Sequence, residues 1–373
     1  MPHYPFQPST LDALPEELAE LFRSLEDTLL EEICSRLKAK DQLNEVTMQD
    51  IRALRSHGID LKDIKKAIQK TTGIGEDKLN KLFTDVVERN QQYYDELITI
   101  ADMTRPDVLI DAATINAIKE QAFEEYSNIT RSMGFLVDNG KTKLEPAKAY
   151  EWALDNATLQ VESGAISYNQ AIESAVKQLA ESGLKTVNYE SGHTDSVDIA
   201  VRRAVMTGVN QLNRKYTEQS MHFLQTDLVQ VSAHAGARDT GEGFQNHKDW
   251  QGRLYRWAEY TRRYPNASKE EYPDFENSCG YGDVQGILGA NCRHSYSPFL
   301  EGVMERTYTD EQLAHIDDGL GCEYDGKKYT AYEATQMQRR VERQIKAQKL
   351  LKNAYKAAGL AEDATAATSS CAA

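Results

Sequence analysis

The feature that most constrains this chain is the recurrence of apolar side chains every three or four residues over long stretches. The first stripe starts after Ser9 and consists of Leu11, Leu14, Leu18, Leu21, Leu25, Leu29, Ile33 and Leu37. An α-helix has 3.6 residues per turn, so these side chains lie on one face. Ser9 and Asp12 suit the N-terminal cap of such a helix. The pattern therefore predicts one long amphipathic helix from Ser9.

Comparable stripes recur over the first 226 residues. They comprise Leu79, Leu82, Val86, Tyr93, Leu97 and Ile100, and later Val197, Val201, Val205, Val209, Leu212 and Tyr216. Weaker helical periods lie near Val108–Tyr126, Pro146–Val161 and Tyr168–Leu179. The clearest helix begins near Thr194 or Asp195, where a capping residue precedes its stripe, and runs to about Gln225. We therefore predict that residues 1–226 form a helical region without strands.

The composition changes after this region. Gly, Trp, Tyr and Pro become dense between Val231 and Pro298, and helical periodicity disappears. We predict a compact domain at 227–330, with strands at Leu228–Ser232 and Trp250–Trp257. A helix follows at 331–358, and the small-residue tail at 359–373 is predicted to be disordered. The predicted fold class is mainly α: an extended N-terminal helical region, a small α+β C-terminal domain and a basic C-terminal helix.

Charge limits the binding of nucleic acid. The formal net charge of -15 argues against a protein that coats nucleic acid along its whole length. The helix at 331–358 is locally basic, and its candidate DNA contacts are Arg339, Arg340, Arg343, Lys346 and Lys349. This basic surface could meet DNA phosphate or an acidic partner subunit, although most such surfaces are merely solvated. A second candidate, the turn Gly73-Ile74-Gly75, is more typical of an ordinary helix connection than of a helix-hairpin-helix motif.

Targeting and redox features of the sequence are few. It shows no apolar run long enough to cross a bilayer and no start typical of a signal peptide. Its five cysteines show no paired CxxC spacing, which favours reduced thiols over a disulfide framework or a zinc ribbon. We expect a soluble protein made in the cytoplasm, with no membrane partner.

Four residues of the Gly- and aromatic-rich region could bind a metal ion: His234, His247, Cys292 and His294. Side chains two positions apart in an extended segment share a face, so Cys292 and His294 could join the other two in a Cys-His₃ zinc site. The spacing matches no standard zinc motif. This favours the alternative of a packed polar core, with Cys292 as a small buried hydrophobe and the histidines bonded to loop carbonyls. In that core Arg293 would pair with a carboxylate such as Asp274.

A Cys-His hydrolase is the enzymatic alternative, with Cys292 as nucleophile and His234 or His247 as base. A reactive thiolate needs a helix N-terminus or a paired imidazole, and the sequence establishes neither. It also lacks a P-loop and a dinucleotide fingerprint. We therefore expect that the protein is not an enzyme and has no small-molecule substrate.

Taken together, four motifs make the chain resemble a known family. They are the run Val231 to Arg238, the stretch His247 to Gly252, Tyr272-Pro273-Asp274-Phe275, and Asn291-Cys292-Arg293-His294 before Pro298-Phe299. In order and character they resemble the phage minor capsid protein 2 family and, more distantly, the Mu F-like head morphogenesis proteins. The residues that carry the resemblance are His234, Arg238, His247, Trp250, Gly252, Asp274, Asn291, Cys292, Arg293 and His294.

The resemblance implies a structural protein of a tailed bacteriophage head, present in few copies. It would act at or near the portal, in head assembly or DNA passage. Its expected partners are portal and head proteins, with packaged DNA as a further partner. The expected location is the virion, assembled in the host bacterial cytoplasm. No cofactor is expected apart from the zinc alternative.

Overall fold

The structure is a computed structural model that describes residues 4–37, 62–104, 106–138, 140–163, 166, 168–187, 194–264, 271–289 and 292–370. The helices are α1 Pro8–Ala13, α2 Glu16–Arg36, α3 Lys62–Ile100, α4 Ala112–Arg131, α5 Pro146–Glu162, α6 Tyr168–Ser182, α7 Val197–Leu224, α8 His247–Trp250, α9 Ala258–Arg263, α10 Phe275–Cys279, α11 Asp310–Ala314, α12 Ala331–Ala357 and α13 Ala361–Ser370. The strands are β1 Gly134–Val137, β2 Thr142–Leu144, β3 Leu184–Val187, β4 Thr194–Ser196, β5 Leu228–Val231, β6 Leu254–Arg256, β7 Tyr296–Phe299, β8 Cys322–Tyr324 and β9 Lys327–Tyr329. The predicted fold class, mainly α, is confirmed.

The first predicted helix is interrupted at Pro15. Helix α1 ends at Ala13 and α2 begins at Glu16, so the prediction of one unbroken helix from Ser9 is wrong. Proline has no backbone N–H to donate, and its ring clashes with the preceding helical turn. The apolar stripe nevertheless continues in α2, where Leu18, Leu25, Leu29 and Ile33 are buried.

The chain forms two compact units. Unit 1 contains Met1–Pro15, Asn80–Ala122 and Val205–Arg339, and unit 2 contains Glu16–Leu79, Phe123–Ala204 and Arg340–Ala373. The segments of these two units do not end at 226 and 330, the domain boundaries predicted from the sequence. The predicted boundaries concern which segments form stable domains by themselves, and in that sense they stay predictions.

Unit 2 contains a four-stranded antiparallel sheet in the order β2-β1-β3-β4. Helices α5 and α6 pack against β1, and α2 packs against α6. Phe135 of β1 and Leu179 of α6 are fully buried. The prediction of a strand-free region is therefore wrong. These strands have three or four residues each, which is too short for an alternating pattern to stand out between long helical periods.

Unit 1 contains the antiparallel sheet β6-β5-β7. Strand β5 confirms the prediction at Leu228–Ser232, and all four of its residues are buried. The other predicted strand, Trp250–Trp257, is only partly correct, because Trp250 ends helix α8 and β6 spans only Leu254–Arg256. An aromatic core that includes Trp250, Tyr255, Trp257, Phe275 and Tyr296 packs around the sheet.

Three further elements differ from expectation. Helix α3 continues through Gly73 and Gly75, so these glycines form neither a turn nor a helix-hairpin-helix motif. Helix α13 occupies Ala361–Ser370, so the predicted disorder of the tail is wrong for these residues. Its small residues include several alanines, the strongest helix formers, and Ala364 and Ala367 are buried.

Candidate functional site

The sheet of unit 1 brings His234 and His294 together. Beyond β5 and before β7, the Ser232 N–H donates to the Ser295 carbonyl oxygen at 2.9 Å, and the Ser295 N–H donates to the Ser232 hydroxyl oxygen at 2.8 Å. These bonds extend the pairing of the two strands by one residue. His234 lies two residues after Ser232, and His294 lies one residue before Ser295. The centroids of the two histidine rings are 4.5 Å apart.

Helix α8 supplies the third histidine. His247 is the first residue of this helix and Trp250 its last, and both are buried. The His247 ring lies 4.6 Å from the Trp250 ring and 5.4 Å from the His294 ring, measured between centroids. The Trp250 indole donates to the Phe244 carbonyl oxygen at 2.8 Å, which fixes the orientation of the indole. The aromatic core thus holds His247 against His294.

Cys292 completes a group of metal-ligating atoms. One ligand atom each from His247, Cys292 and His294 lies within 4.8 Å of the other two, and all three residues are buried. Cys292 Sγ is 3.5 Å from His294 Nδ1. The expectation that Cys292 and His294 share a face agrees with this geometry. His234 lies beside the group, through its ring contact with His294, but is not one of the three.

Each histidine uses one ring nitrogen to donate to an oxygen. His234 Nδ1 faces the Ala235 carbonyl at 2.9 Å, and His247 Nε2 faces the Gln285 carbonyl at 2.8 Å. His294 Nε2 faces Gln251 Oε1 at 3.1 Å. Because these oxygens only accept hydrogen bonds, the ring nitrogen facing each of them carries the proton. The other nitrogen of each neutral ring then keeps its lone pair.

Burial controls the protonation of this cluster. It lowers the pKa of His247 to about 4 and lowers the pKa of His294 well below its ordinary value, because a buried imidazolium loses its hydration. Burial also lowers the pKa of His234. The pKa of the Cys292 thiol is raised by burial to about 11. At neutral pH the histidines are therefore neutral and Cys292 is a thiol.

This protonation state gives little support to the hydrolase alternative. A nucleophilic cysteine needs a lowered pKa and access to substrate. The Cys292 side chain has the opposite properties, because burial raises its pKa and the residue is 8% exposed.

The remaining signature residues have structural contacts. Arg238 Nη1 donates to the same Gln285 carbonyl as His247, at 3.1 Å. Asp274 caps α10 by accepting from the Asn277 N–H at 2.8 Å. Arg293 pairs with Asp12 at 3.6 Å, so the expected pair between Arg293 and Asp274 is wrong. Gly252 has a φ of 72° in the turn before β6. Asn291 lies outside the described residues.

Sequence reasoning missed the two residues that orient the cluster. Gln251 Oε1 accepts from His294 Nε2 and also from the His234 backbone N–H, the latter at 3.0 Å. The Gln285 carbonyl accepts from His247 and Arg238. The position of Gln251 between Trp250 and Gly252 could have drawn attention to it. The role of the Gln285 backbone carbonyl does not depend on the residue type, so the sequence gives no sign of it.

The basic helix is confirmed as α12, with seven Lys and Arg residues against Glu333 and Glu342. Of the candidate DNA contacts, Arg340, Arg343 and Lys349 are exposed, whereas Arg339 and Lys346 are half-buried. Lys346 forms ion pairs with Glu26 and Asp198, both at 3.1 Å. These pairs occupy Lys346 within unit 2.

None of the described helices is long and apolar enough to span a membrane.

In a comparison with protein families the chain matches the model described as phage minor capsid protein 2 over residues 6–373. The chain belongs to the phage minor capsid protein 2 family. The match spans both units and includes the signature motifs. A member of this family is a structural phage protein, which implies a place in the virion among other head components.

A curated relative agrees with this family. The chain is 24% identical over 328 residues to a protein of Lactococcus phage LL-H named "Structural protein", and the match covers 87% of this chain and 78% of the relative. No solved structure matches the chain.

Proposed function

We propose that this minor capsid protein is a non-enzymatic structural part of the phage head that acts at or near the portal, in head assembly or DNA passage. The proposal rests on the family match from residue 6 to residue 373 and on one structural observation, the exposed hairpin formed by β8 and β9. Its partner would be a portal or head subunit.

The hairpin has regular strand pairing, but its side chains are exposed. Its strands pair Tyr324 with Lys327 across the two-residue turn Asp325-Gly326. Both turn residues have positive φ, 51° and 69°, as a type I′ turn requires. Nearly every hairpin residue is exposed, with Tyr324 at 67%. An isolated two-stranded hairpin is marginally stable in water, so packing against a further surface would stabilise this one.

The chemistry of the hairpin suits a protein partner. Tyr324 and the preceding Leu320, which is 53% exposed, offer apolar surface. Charges of both signs surround them, with the acidic Glu323 and Asp325 on one side of Gly326 and the basic Lys327 and Lys328 on the other. An aromatic anchor with a polar surround is typical of protein–protein interfaces. The mixed charge is less suited to DNA phosphate, which binds through an excess of positive charge.

Site-specific photo-crosslinking during phage assembly tests this proposal. A photoreactive residue at position 324 should crosslink to a portal or head subunit, identified by mass spectrometry of purified heads. The same residue at Val284, also 67% exposed and in the same unit, is the matched control for exposure. Equal crosslinking at both positions would contradict the role of the hairpin. Absence of the protein from virions and procapsids would contradict the proposed function.

A second candidate function, contact with DNA, is favoured by the exposed charges of α12. Arg340, Arg343 and Lys349 are available at the surface, whereas Lys346 is engaged by Glu26 and Asp198. If α12 binds phosphate, Arg340→Ala and Arg343→Ala should each lower the slope of log Kd against log salt by about 1.

Fluorescence anisotropy with a labelled DNA duplex over a series of salt concentrations measures this slope. Lys346→Ala is the matched control on the same helix and should leave the slope unchanged. A wild-type protein that binds no duplex at low salt would exclude DNA contact through this helix.

A further inference from the structure

We propose that His247, Cys292 and His294 bind one zinc ion, with His234 as the fourth ligand. The inference goes beyond the proposed role in the head. It concerns a metal that would hold together the motifs of unit 1, and it rests on geometry, on the hydrogen bonds that orient the rings, and on donor chemistry.

The distance between Cys292 and His294 fits a shared metal ion. Zinc–sulfur bonds of about 2.3 Å and zinc–nitrogen bonds of about 2.0–2.1 Å, at a tetrahedral angle, place sulfur and nitrogen about 3.6 Å apart. Cys292 Sγ and His294 Nδ1 are 3.5 Å apart. The ligand atom of His247 is within 4.8 Å of both. A small movement of the His247 ring would close this triangle around an ion.

The rings are oriented as metal-ligating histidines usually are. Such a histidine donates its other N–H to a carbonyl, carboxylate or water, which fixes the tautomer and directs the lone pair at the metal. His294 does this through Nε2 to Gln251 and His247 through Nε2 to the Gln285 carbonyl. The lone pair of His294 therefore lies on Nδ1, the nitrogen that faces Cys292.

His234 is positioned to complete the ligand set. Its Nδ1 donates to the Ala235 carbonyl, so its lone pair is on Nε2. Its ring lies against the His294 ring, with centroids 4.5 Å apart and an interplanar angle of 31°. In our proposal the His234 side chain rotates so that Nε2 reaches the ion held by the other three ligands. Structural zinc sites are almost always four-coordinate, and a set of one cysteine and three histidines matches zinc's preference for sulfur and nitrogen.

The protein environment favours a structural ion over a catalytic one. His247, Cys292 and His294 are 3%, 8% and 1% exposed, which leaves little access for a substrate. The ligands come from three separate segments, namely the residues after β5, the start of α8 and the residues before β7. An ion here would link these segments, and its binding free energy would add to the stability of unit 1.

The zinc content of full-length protein purified without a histidine tag tests this proposal. Wild type should retain about one zinc per chain after gel filtration, measured by inductively coupled plasma mass spectrometry. Cys292→Ser, His247→Ala and His294→Ala should each lower the retained zinc about tenfold or more, because each loses one ligand of the ion. His234→Ala should retain an intermediate amount.

Cys279→Ser is the matched control. Cys279 is buried in the same aromatic core as Cys292, so its substitution perturbs the fold similarly but removes no proposed ligand. This variant should keep wild-type zinc. Equal loss from the Cys279 and Cys292 variants would overturn the site. A His234→Ala variant that retains zinc like the control would overturn the assignment of the fourth ligand.

Cobalt substitution tests the site on wild-type protein alone, without any variant that might fail to fold. Co²⁺ bound by Cys292 should give a thiolate-to-cobalt charge-transfer band and the intense visible bands of tetrahedral coordination. Added Zn²⁺ should abolish both. A wild-type protein that holds no zinc as purified and shows no thiolate band with Co²⁺ would overturn the proposal.

Discussion

The Tyr126 hydroxyl donates a hydrogen bond to the Thr72 carbonyl oxygen at 2.9 Å, and this bond lays the phenol ring across Gly75 of helix α3. A Cβ atom on Gly75 would overlap the Tyr126 hydroxyl. The ring also meets Phe22 edge-on, with centroids 5.8 Å apart. Gly75 is therefore required by close packing within unit 2.

Alanine substitutions at Gly73 and Gly75 should have opposite effects on stability. Gly73 is exposed and an added Cβ meets nothing within 4 Å, so Gly73→Ala should stabilise the protein by about 0.5–1 kcal/mol. Gly75→Ala forces Tyr126 to move and should destabilise it by about 1–3 kcal/mol. Urea unfolding of both variants measures the difference.

A double variant checks the cause. Tyr126→Phe removes the hydroxyl oxygen, the nearest atom that the new Cβ would meet, so Gly75→Ala should cost less in that background than in wild type. If the two substitutions are additive, the Tyr126 hydroxyl does not explain the need for Gly75.

The N-terminal segment should contribute to the stability of unit 1 through Tyr4. This side chain is 1% exposed, stacks on Tyr308 and donates to the Val231 carbonyl oxygen at 2.8 Å. Tyr4→Phe removes one hydrogen bond and should cost about 1 kcal/mol. Tyr4→Ala also leaves a cavity and should cost about 3–5 kcal/mol.

Chemical denaturation of the two Tyr4 variants gives the ratio of these costs. Tyr324→Phe is the control, because Tyr324 is 67% exposed and its substitution should change stability by less than about 0.5 kcal/mol. Equal costs for Tyr4→Phe and Tyr4→Ala would mean that the ring itself contributes nothing by packing.

Unit 2 should be less stable in acid, because acid protonates Asp198, one of the ion-pair partners of Lys346. Burial raises the pKa of Asp198, but the nearby Lys346 charge and hydrogen bonds from Ser196 and Lys346 outweigh it, and the net pKa is lowered. A carboxyl whose pKa is lowered by folding adds stability above its unfolded pKa of about 3.9, and this stability is lost as pH falls through the folded value. Asp198→Asn should therefore be less stable than wild type at neutral pH by about 1–3 kcal/mol.

The pH dependence of this difference provides the test. The stabilities of wild type and Asp198→Asn should begin to converge as pH falls below the unfolded pKa of about 3.9, and they should meet once pH is below the lowered pKa of Asp198 in the folded protein. Glu259→Gln is the control, because it breaks a pair with Arg263 in which both side chains are about half exposed. A difference between wild type and Asp198→Asn that stays constant into acid would show that the charge of Asp198 is not its cause.

Apolar periodicity was sufficient to predict the long helices from the sequence. The predicted stripe of α7 is buried at all six positions, from Val197 to Tyr216. It did not locate the short strands, because a strand of three or four residues gives too few alternations. The hairpin β8–β9 is indicated by its Asp325-Gly326 turn, a strong local pattern for a two-residue hairpin, although its three-residue strands also give too few alternations.

The sequence predicted the local part of the candidate cluster but not the contacts that depend on tertiary packing. Alternation along an extended segment correctly indicated that Cys292 and His294 share a face. The approach of His247 depends on how α8 packs in the aromatic core, which is a tertiary property. The partner of Arg293 was also out of reach, because Asp12 is separated from it by most of the chain.

Gly252 should be intolerant of substitution for two separable reasons. Its φ of 72° is unfavourable for any residue with a Cβ. An added Cβ would also overlap the Leu313 side chain and lie 3.2 Å from Ala233 Cβ. Gly252→Ala should therefore destabilise the protein by about 2–4 kcal/mol, about 1–2 kcal/mol of it from the backbone and the rest from the contacts.

Shortening Leu313 separates the two contributions. In a Leu313→Ala background the overlap with Leu313 disappears, and the cost of Gly252→Ala should fall towards the backbone share of about 1–2 kcal/mol, with only the Ala233 contact added to it. Leu313 is half-buried, so its own truncation is tolerated better than that of a core leucine. Urea unfolding of wild type, both single variants and the double variant completes the cycle. An unchanged cost of Gly252→Ala in the Leu313→Ala background would show that the Leu313 overlap contributes nothing, and the need for glycine at this signature position would then come from the left-handed backbone and the Ala233 contact.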